Sequence, residues 1–169
     1  MALIVEDGTG LTTAESYLSV ADTDTYNTKY TASADWIAAT NDEKERSLRV
    51  ATQYIDLQYG GRWRGTRTNE TQALDWPRAD VEDDDGFEID EDAIPTDLEH
   101  ATAEAALRDI AGDDLLAIET EGDITADRIK VGPIEVDQEF SNPKPQQSTY
   151  PKIDRYLRSL TYPSVAIRA

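Results

Sequence analysis

Two short runs concentrate the side chains that could do chemistry: Arg62-Trp63-Arg64-Gly65, and Gln72-Ala73-Leu74-Asp75-Trp76-Pro77-Arg78. Indole beside guanidinium stacks unpaired bases and neutralises phosphate, so Trp63 and Trp76 with their adjacent arginines could form a sequence-tolerant platform for single-stranded DNA. The competing role is structural. Both indoles would then anchor a loop by closing the core beneath it, and Arg62, Arg64, Arg67 and Arg78 would pair with the acidic loop or helix ends of a neighbouring subunit. Charge favours the structural role. With 35 Asp and Glu against 16 Lys and Arg the chain carries −19, and it repels a polyanion unless a basic patch is segregated. A subunit with basic and acidic faces would join head to tail, giving a ring when the rotation closes.

Other chemistry finds few players. There is no cysteine and one histidine, His100, which sits mid-helix with no second metal-type ligand at a useful spacing. No Gly-rich phosphate loop, nucleophile elbow or His-Glu metal pattern occurs, so no catalytic residue, metal or cofactor is expected, and the chain is not read as an enzyme. Asp83, Asp85 and Gly86 echo the middle of a calcium-binding EF-hand loop, but that register puts Val81 at the first ligand position and Asp92 at the last. The run from Glu82 to Asp92 is therefore expected to be a solvated acidic loop.

At 169 residues the chain fits one domain with a real core. The start lacks a basic, long apolar leader and nothing approaches a membrane-spanning length, so a soluble protein made inside a cell, without membrane contact, is expected. Lysine is scarce among the basic residues, and Asp, Glu and Thr are abundant, as in proteins adapted to high salt. Screening supplies the logic: the Debye length falls from roughly 10 Å at 0.1 M to about 3 Å at 1 M salt, which suppresses self-repulsion. An ordinary acidic protein remains the alternative.

The elements that must position these residues are mostly helical. A helix over about 20–30 follows a Ser19 cap, with Val20, Tyr26 and Tyr30 as its buried stripe. Trp36 reads as a core plug. The clearest helix starts at Thr40 or Asn41 and buries Leu48, Ala51, Tyr54, Ile55 and Gln58, with Asp56 on another face and Gly60 as a left-handed C-cap. Residues 62–95 form a long irregular loop broken by Gly65, Pro77, Gly86 and Pro95, in which Phe87 and Ile89 could make a short strand. Another helix opens at Ile94-Pro95-Thr96, with Glu99 in capping-box position, and ends at Gly112. A β-hairpin spans 128–139 around Gly132-Pro133. A spacer covers Ser141 to Ser148, and a last helix from Tyr150-Pro151 carries Ile153, Tyr156, Leu157 and Leu160 and stops at Tyr162-Pro163. The fold class is thus mainly α, a small helical bundle with one β-hairpin and a long irregular acidic loop.

Several blocks also carry a resemblance. Ala2-Leu3-Ile4-Val5-Glu6-Asp7-Gly8-Thr9-Gly10-Leu11 with Ser16-Tyr17, Ala51-Thr52-Gln53-Tyr54-Ile55-Asp56, Trp63-Arg64-Gly65, Gln72 to Arg78, Ile94-Pro95, Lys130-Val131-Gly132-Pro133-Ile134-Glu135-Val136 and Tyr150-Pro151-Lys152-Ile153-Asp154 are similar to the tailed-virus family often labelled DnaT-like single-stranded DNA-binding. Members of it resemble head-tail adaptors, helical proteins of the virion neck that form a twelve-fold ring below the portal and continue the DNA channel. The resemblance implies a dodecameric ring of this chain, a portal partner, a tail-side neck or stopper partner, and DNA passing through the lumen without tight binding. The tail from Tyr162 to Ala169, with Val165, Ile167 and Arg168, is the expected portal contact. The hairpin residues Ile129, Val131, Ile134 and Val136 would meet neighbouring or tail-side subunits. The acidic expansion and scarce lysine suggest a virus of a halophilic host.

Overall fold

The structure, a computed structural model, describes residues 2–116 and 150–163, and the backbone of 118–119, 126–131, 134–139 and 146–147. Val165, Ile167 and Arg168 lie outside the described residues. The contacts divide the chain into two units, Met1–Leu115 with Tyr150–Ala169, and Leu116–Thr149.

The first unit is built on α3, Asn41–Tyr59. Thr40 caps it in a reciprocal box: its hydroxyl accepts from the Glu43 amide while the Glu43 carboxylate accepts from the Thr40 amide, satisfying two donors that a helix start leaves open. Leu48, Ala51, Tyr54 and Ile55 are buried along one side and Gln58 is half-buried. They pack on α4, Thr96–Ala111, where Ala101, Ala103, Ala105 and Ala106 are all enclosed. Small side chains around the whole girth let neighbours approach α4 from several directions. It touches α3, α5 (Pro151–Leu157), α2 (Ala34–Ala38) and α1 (Val20–Tyr26). Ser47 stitches the main helix pair, donating to the Ala106 carbonyl at 2.8 Å. Trp36 closes the bundle between α1 and α3, its ring buried, its Nε1 donating to Asp24 at 2.7 Å and Lys44 lying over its face.

Several local expectations are corrected. α1 does not run on to Tyr30. It passes into a π-helical turn, Asn27–Thr31, whose extra residue rotates the stripe, so Tyr26 is buried and Tyr30 is 59% exposed. Gly60 keeps right-handed helical angles. It is needed for space, because a Cβ there would lie 2.5 Å from the Asp56 carbonyl oxygen and 2.9 Å from Asp75 Oδ2. Thr96 is the first helical residue of α4 rather than its cap, and the cap position, Pro95, makes no side-chain bond. Gly112 does take the left-handed C-cap at φ 99°. α5 ends at Leu157, before Tyr162-Pro163, and its continuation is held by the Thr161 hydroxyl donating to the Leu157 carbonyl.

The loop between α3 and α4 contains one short antiparallel pair, β1 (Thr66–Arg67) with β2 (Arg78–Ala79). A single bridge joins Glu82 to Glu88. In the second unit β4 (Ala126–Val131) pairs antiparallel with β5 (Ile134–Glu139), placing Ile129 opposite Val136 and Val131 opposite Ile134. β3 (Ile118–Glu119) pairs with β6 (Gln146–Gln147), so the stretch read as a plain spacer contains a strand. Two-residue strands are too short to leave a period in the sequence. The architecture is mainly α with a hairpin and a long irregular acidic segment.

Candidate functional site

The segment after α3 is folded by its own polar groups. Arg62 lays its guanidinium over the Tyr59 ring, 4.8 Å from the centroid. The Tyr162 amide donates to the Arg62 carbonyl at 2.7 Å and the Arg64 amide to the Leu160 carbonyl at 3.0 Å, tying 62–64 to the chain that follows α5. Gly65 then turns at φ 66°, where a Cβ would come within 2.1 Å of the Ala79 carbonyl oxygen, so only glycine lets β1 meet β2. Inside the turn, Gln72 accepts from the Asn69 amide and donates to the carbonyls of Leu74 and Pro77. Arg78 donates to the carbonyls of Arg64 and Gly65, both at 2.7 Å, and of Asp75 at 3.1 Å. Backbone carbonyls that this irregular path would bury unpaired are thereby satisfied.

The two indoles lie beneath this loop. Trp63 is 5% and Trp76 0% exposed, and the rings meet edge to face with centroids 5.9 Å apart. Trp63 Nε1 donates to Asp75 Oδ2 at 3.1 Å. Neither ring offers a face to solvent, and a base cannot stack on a ring that is already enclosed. The platform reading of Trp63 and Trp76 is therefore corrected by their burial.

Beside them is a polar centre that periodicity does not announce. The Tyr17 hydroxyl donates to Asp56 Oδ1 at 2.5 Å and accepts from the amides of Asp75 and Trp76. The sequence places Asp56 on a face of α3 other than the one that carries Leu48, Ala51 and Ile55. It is instead turned inward, and burial pushes its carboxyl up to about 7, opposed by the Tyr17 hydrogen bond and assisted by the nearby charge of Asp75. The nearest hint in the sequence is that Asp56 ends the same block as Tyr54 and Ile55.

Of the arginines expected at a subunit boundary, Arg78 has its donors committed within the chain. Arg64 donates to the Glu82 carbonyl at 3.1 Å and to Asp84 Oδ1 at 3.3 Å, so its acidic partner belongs to the same subunit. Arg62 is half-buried on Tyr59, and Arg67 is exposed and reaches the Glu70 carbonyl at 3.5 Å. Arg158 approaches the other oxygen of Asp84 at 3.3 Å.

Between these clamps the acidic segment turns back on itself. Asp83 Oδ1 accepts from the amides of Asp85 and Phe87, both at 2.9 Å, Gly86 takes φ 86°, and Phe87 stands at the turn 71% exposed. A cleft of about 420 Å³ opens beside it, lined by Arg64, Asp80, Glu82, Glu88 and Tyr162. Tyr162 is 59% exposed. No group of His, Asp and Glu among the described residues is arranged to hold a metal. His100 packs among Tyr26, Tyr30 and Tyr156, and burial lowers its pKa.

The opening block also acquires a physical account. Glu6 is buried and its carboxylate accepts from the amides of Gly8, Gly10 and Leu11. Gly8 abuts the Asp92 carbonyl and Gly10 the Asn69 side chain, each too closely for a Cβ. Two points of the long loop, Asn69 and Asp92, thus rest on the amino-terminal turn.

No curated protein and no solved structure matches the chain. A family described as "Putative DnaT-like ssDNA binding protein" matches residues 1–169. Because that match runs the whole length, through the Glu6 turn, the Tyr17–Asp56 centre and the arginine-closed loop, the chain belongs to this family.

Proposed function

We propose that the protein is a structural head-tail adaptor of a tailed virus, forming a ring between portal and tail through which DNA passes without being gripped. The observation that carries this reading is the enclosure of Trp63 and Trp76 in a chain of charge −19. An acidic protein without those stacking faces suits a channel that must let a polyanion slide. The resemblance of its motif blocks to head-tail adaptors supplies the class. The exposed Arg67 would serve a neighbouring subunit, Tyr162 the portal and the hairpin Ile129 to Val136 the tail side. The test is assembly and location: the purified protein forms closed rings under electron microscopy, and the same protein is recovered from purified virions. A monomer at all concentrations that is also missing from virions overturns the reading.

A second reading is supported by the family's description: binding of single-stranded DNA. With both indoles enclosed, its stacking ring would have to be an exposed one, and Tyr30, 59% exposed beside Lys29, is the candidate to test. Oligonucleotide binding that weakens steeply with salt and is lost in Tyr30→Ala would favour this reading over the adaptor. A halophilic host is part of the first proposal. It predicts that the melting temperature climbs continuously from dilute buffer to multimolar salt, and equal stability at both ends removes it.

A further inference from the structure

We propose that the cleft lined by Asp80, Glu82, Glu88 and Tyr162 is a docking site for a basic, arginine-bearing peptide segment of a partner protein. The argument begins with the charges. Arg64, the cation in the cleft wall, is engaged by the Glu82 carbonyl and Asp84, and Arg158 takes the second oxygen of Asp84. The carboxylates of Asp80, Glu82 and Glu88 have no ion pair or side-chain hydrogen bond among the described residues. Glu82 and Glu88 face each other across an antiparallel bridge, an arrangement of like charges that costs stability and that a bound cation relieves.

The surface is also held in shape before any partner arrives. The Asp83 amide donates to the Phe87 carbonyl, the Gly86 amide to the Asp83 carbonyl, and the Ile89 amide to the Val81 carbonyl. Together with the two amides gathered by Asp83 Oδ1, these bonds fix the hairpin. Ordering it is therefore not charged to binding. Tyr162, an exposed aromatic ring, lines one wall, and Phe87 stands exposed at the tip of the turn beside it. A planar guanidinium can stack on the first while meeting a carboxylate edge on, which an ammonium does less well, and an apolar neighbour of that arginine can cover the second. The net charge of −19 draws such a segment in and repels nucleic acid. This site does not depend on the adaptor reading.

Calorimetric titration of the full chain with an acetylated, amidated hexapeptide alternating arginine and leucine tests it. Replacing Glu82 and Glu88 together with glutamine is expected to weaken binding by about tenfold or more, and Tyr162→Ala by roughly fivefold. The double variant removes no contact and relieves the like-charge pair, so its melting temperature does not fall. A charge-matched control, Asp35→Asn with Asp42→Asn, is expected to change binding by less than about twofold. Equal weakening in both double variants would mean generic attraction to an acidic protein and overturns the site. Binding that appears only after removal of residues 164–169 would assign the cleft to the chain's own tail and overturns it as well.

Discussion

The two halves of the loop between α3 and α4 solve the same problem in opposite ways. From Arg62 to Ala79 an irregular backbone is closed from within: Gln72 and Arg78 satisfy its carbonyls, and Trp63 and Trp76 fill the space beneath it. From Glu82 to Asp92 the chain is held from outside by two arginines on Asp84 and by short bonds to Asp83, while Phe87 faces water. The first half resembles core; the second is a rigid display. Arg78, whose donors all go to carbonyls, builds the fold, while Arg64 and Arg158 meet on a surface carboxylate and orient a loop.

The contrast can be broken at its strongest point first. Trp76→Ala removes a fully enclosed indole and should cost about 3–5 kcal/mol, seen as a fall in denaturant midpoint, whereas Phe87→Ala at the display tip should stay within about 0.5 kcal/mol. Similar losses from both would erase the distinction.

A second measurement sharpens it through pH. Asp56 is held near 7 in the folded protein against about 3.9 in an unfolded chain. The folded state therefore keeps a proton that the unfolded state has released. Its contribution is fully present below about pH 4 and is lost as pH rises through 7. Stability should fall between pH 5 and 8 by on the order of a few kcal/mol, read as a falling melting temperature, and Asp56→Asn should flatten that slope. An unchanged slope would place the titration elsewhere.

The smallest effect belongs to the clamp. Asp84→Asn releases Arg64 and Arg158 from partly exposed pairs and should cost less than about 1 kcal/mol, vanishing in high salt. Hydrogen exchange should quicken at Asp85 and Phe87 but not at Gln72. Faster exchange at both would join the two halves into one cooperative unit.

The helices were legible because their signals are local. Thr40 with Glu43, the spacing of Leu48, Ala51 and Ile55, and Gly112 past Ala111 each state an element from a few neighbouring residues. The interior of the loop was not, since its order comes from side chains such as Gln72 and Arg78 reaching backbone several residues away. Asp56 misled for a related reason: a carboxylate on a helix looks exposed until Tyr17, 39 positions earlier in the chain, is brought against it. Gly60 misled because the sequence shows that a glycine is required but not whether angle or space requires it. The π-turn at Asn27–Thr31 has no compositional mark, and it alone displaced Tyr30 from the expected face.

The Glu6 turn gives the molecule a single latch. One carboxylate gathers three amides, and the glycines it orders press on Asn69 and Asp92. Proteolytic clipping ahead of Leu11 would thus unfasten two stretches remote in sequence at once, and nicks at 69 and 92 should then appear together rather than in succession. An affinity tag fused before Ala2 leaves the latch intact, while a truncation reaching Glu6 removes it.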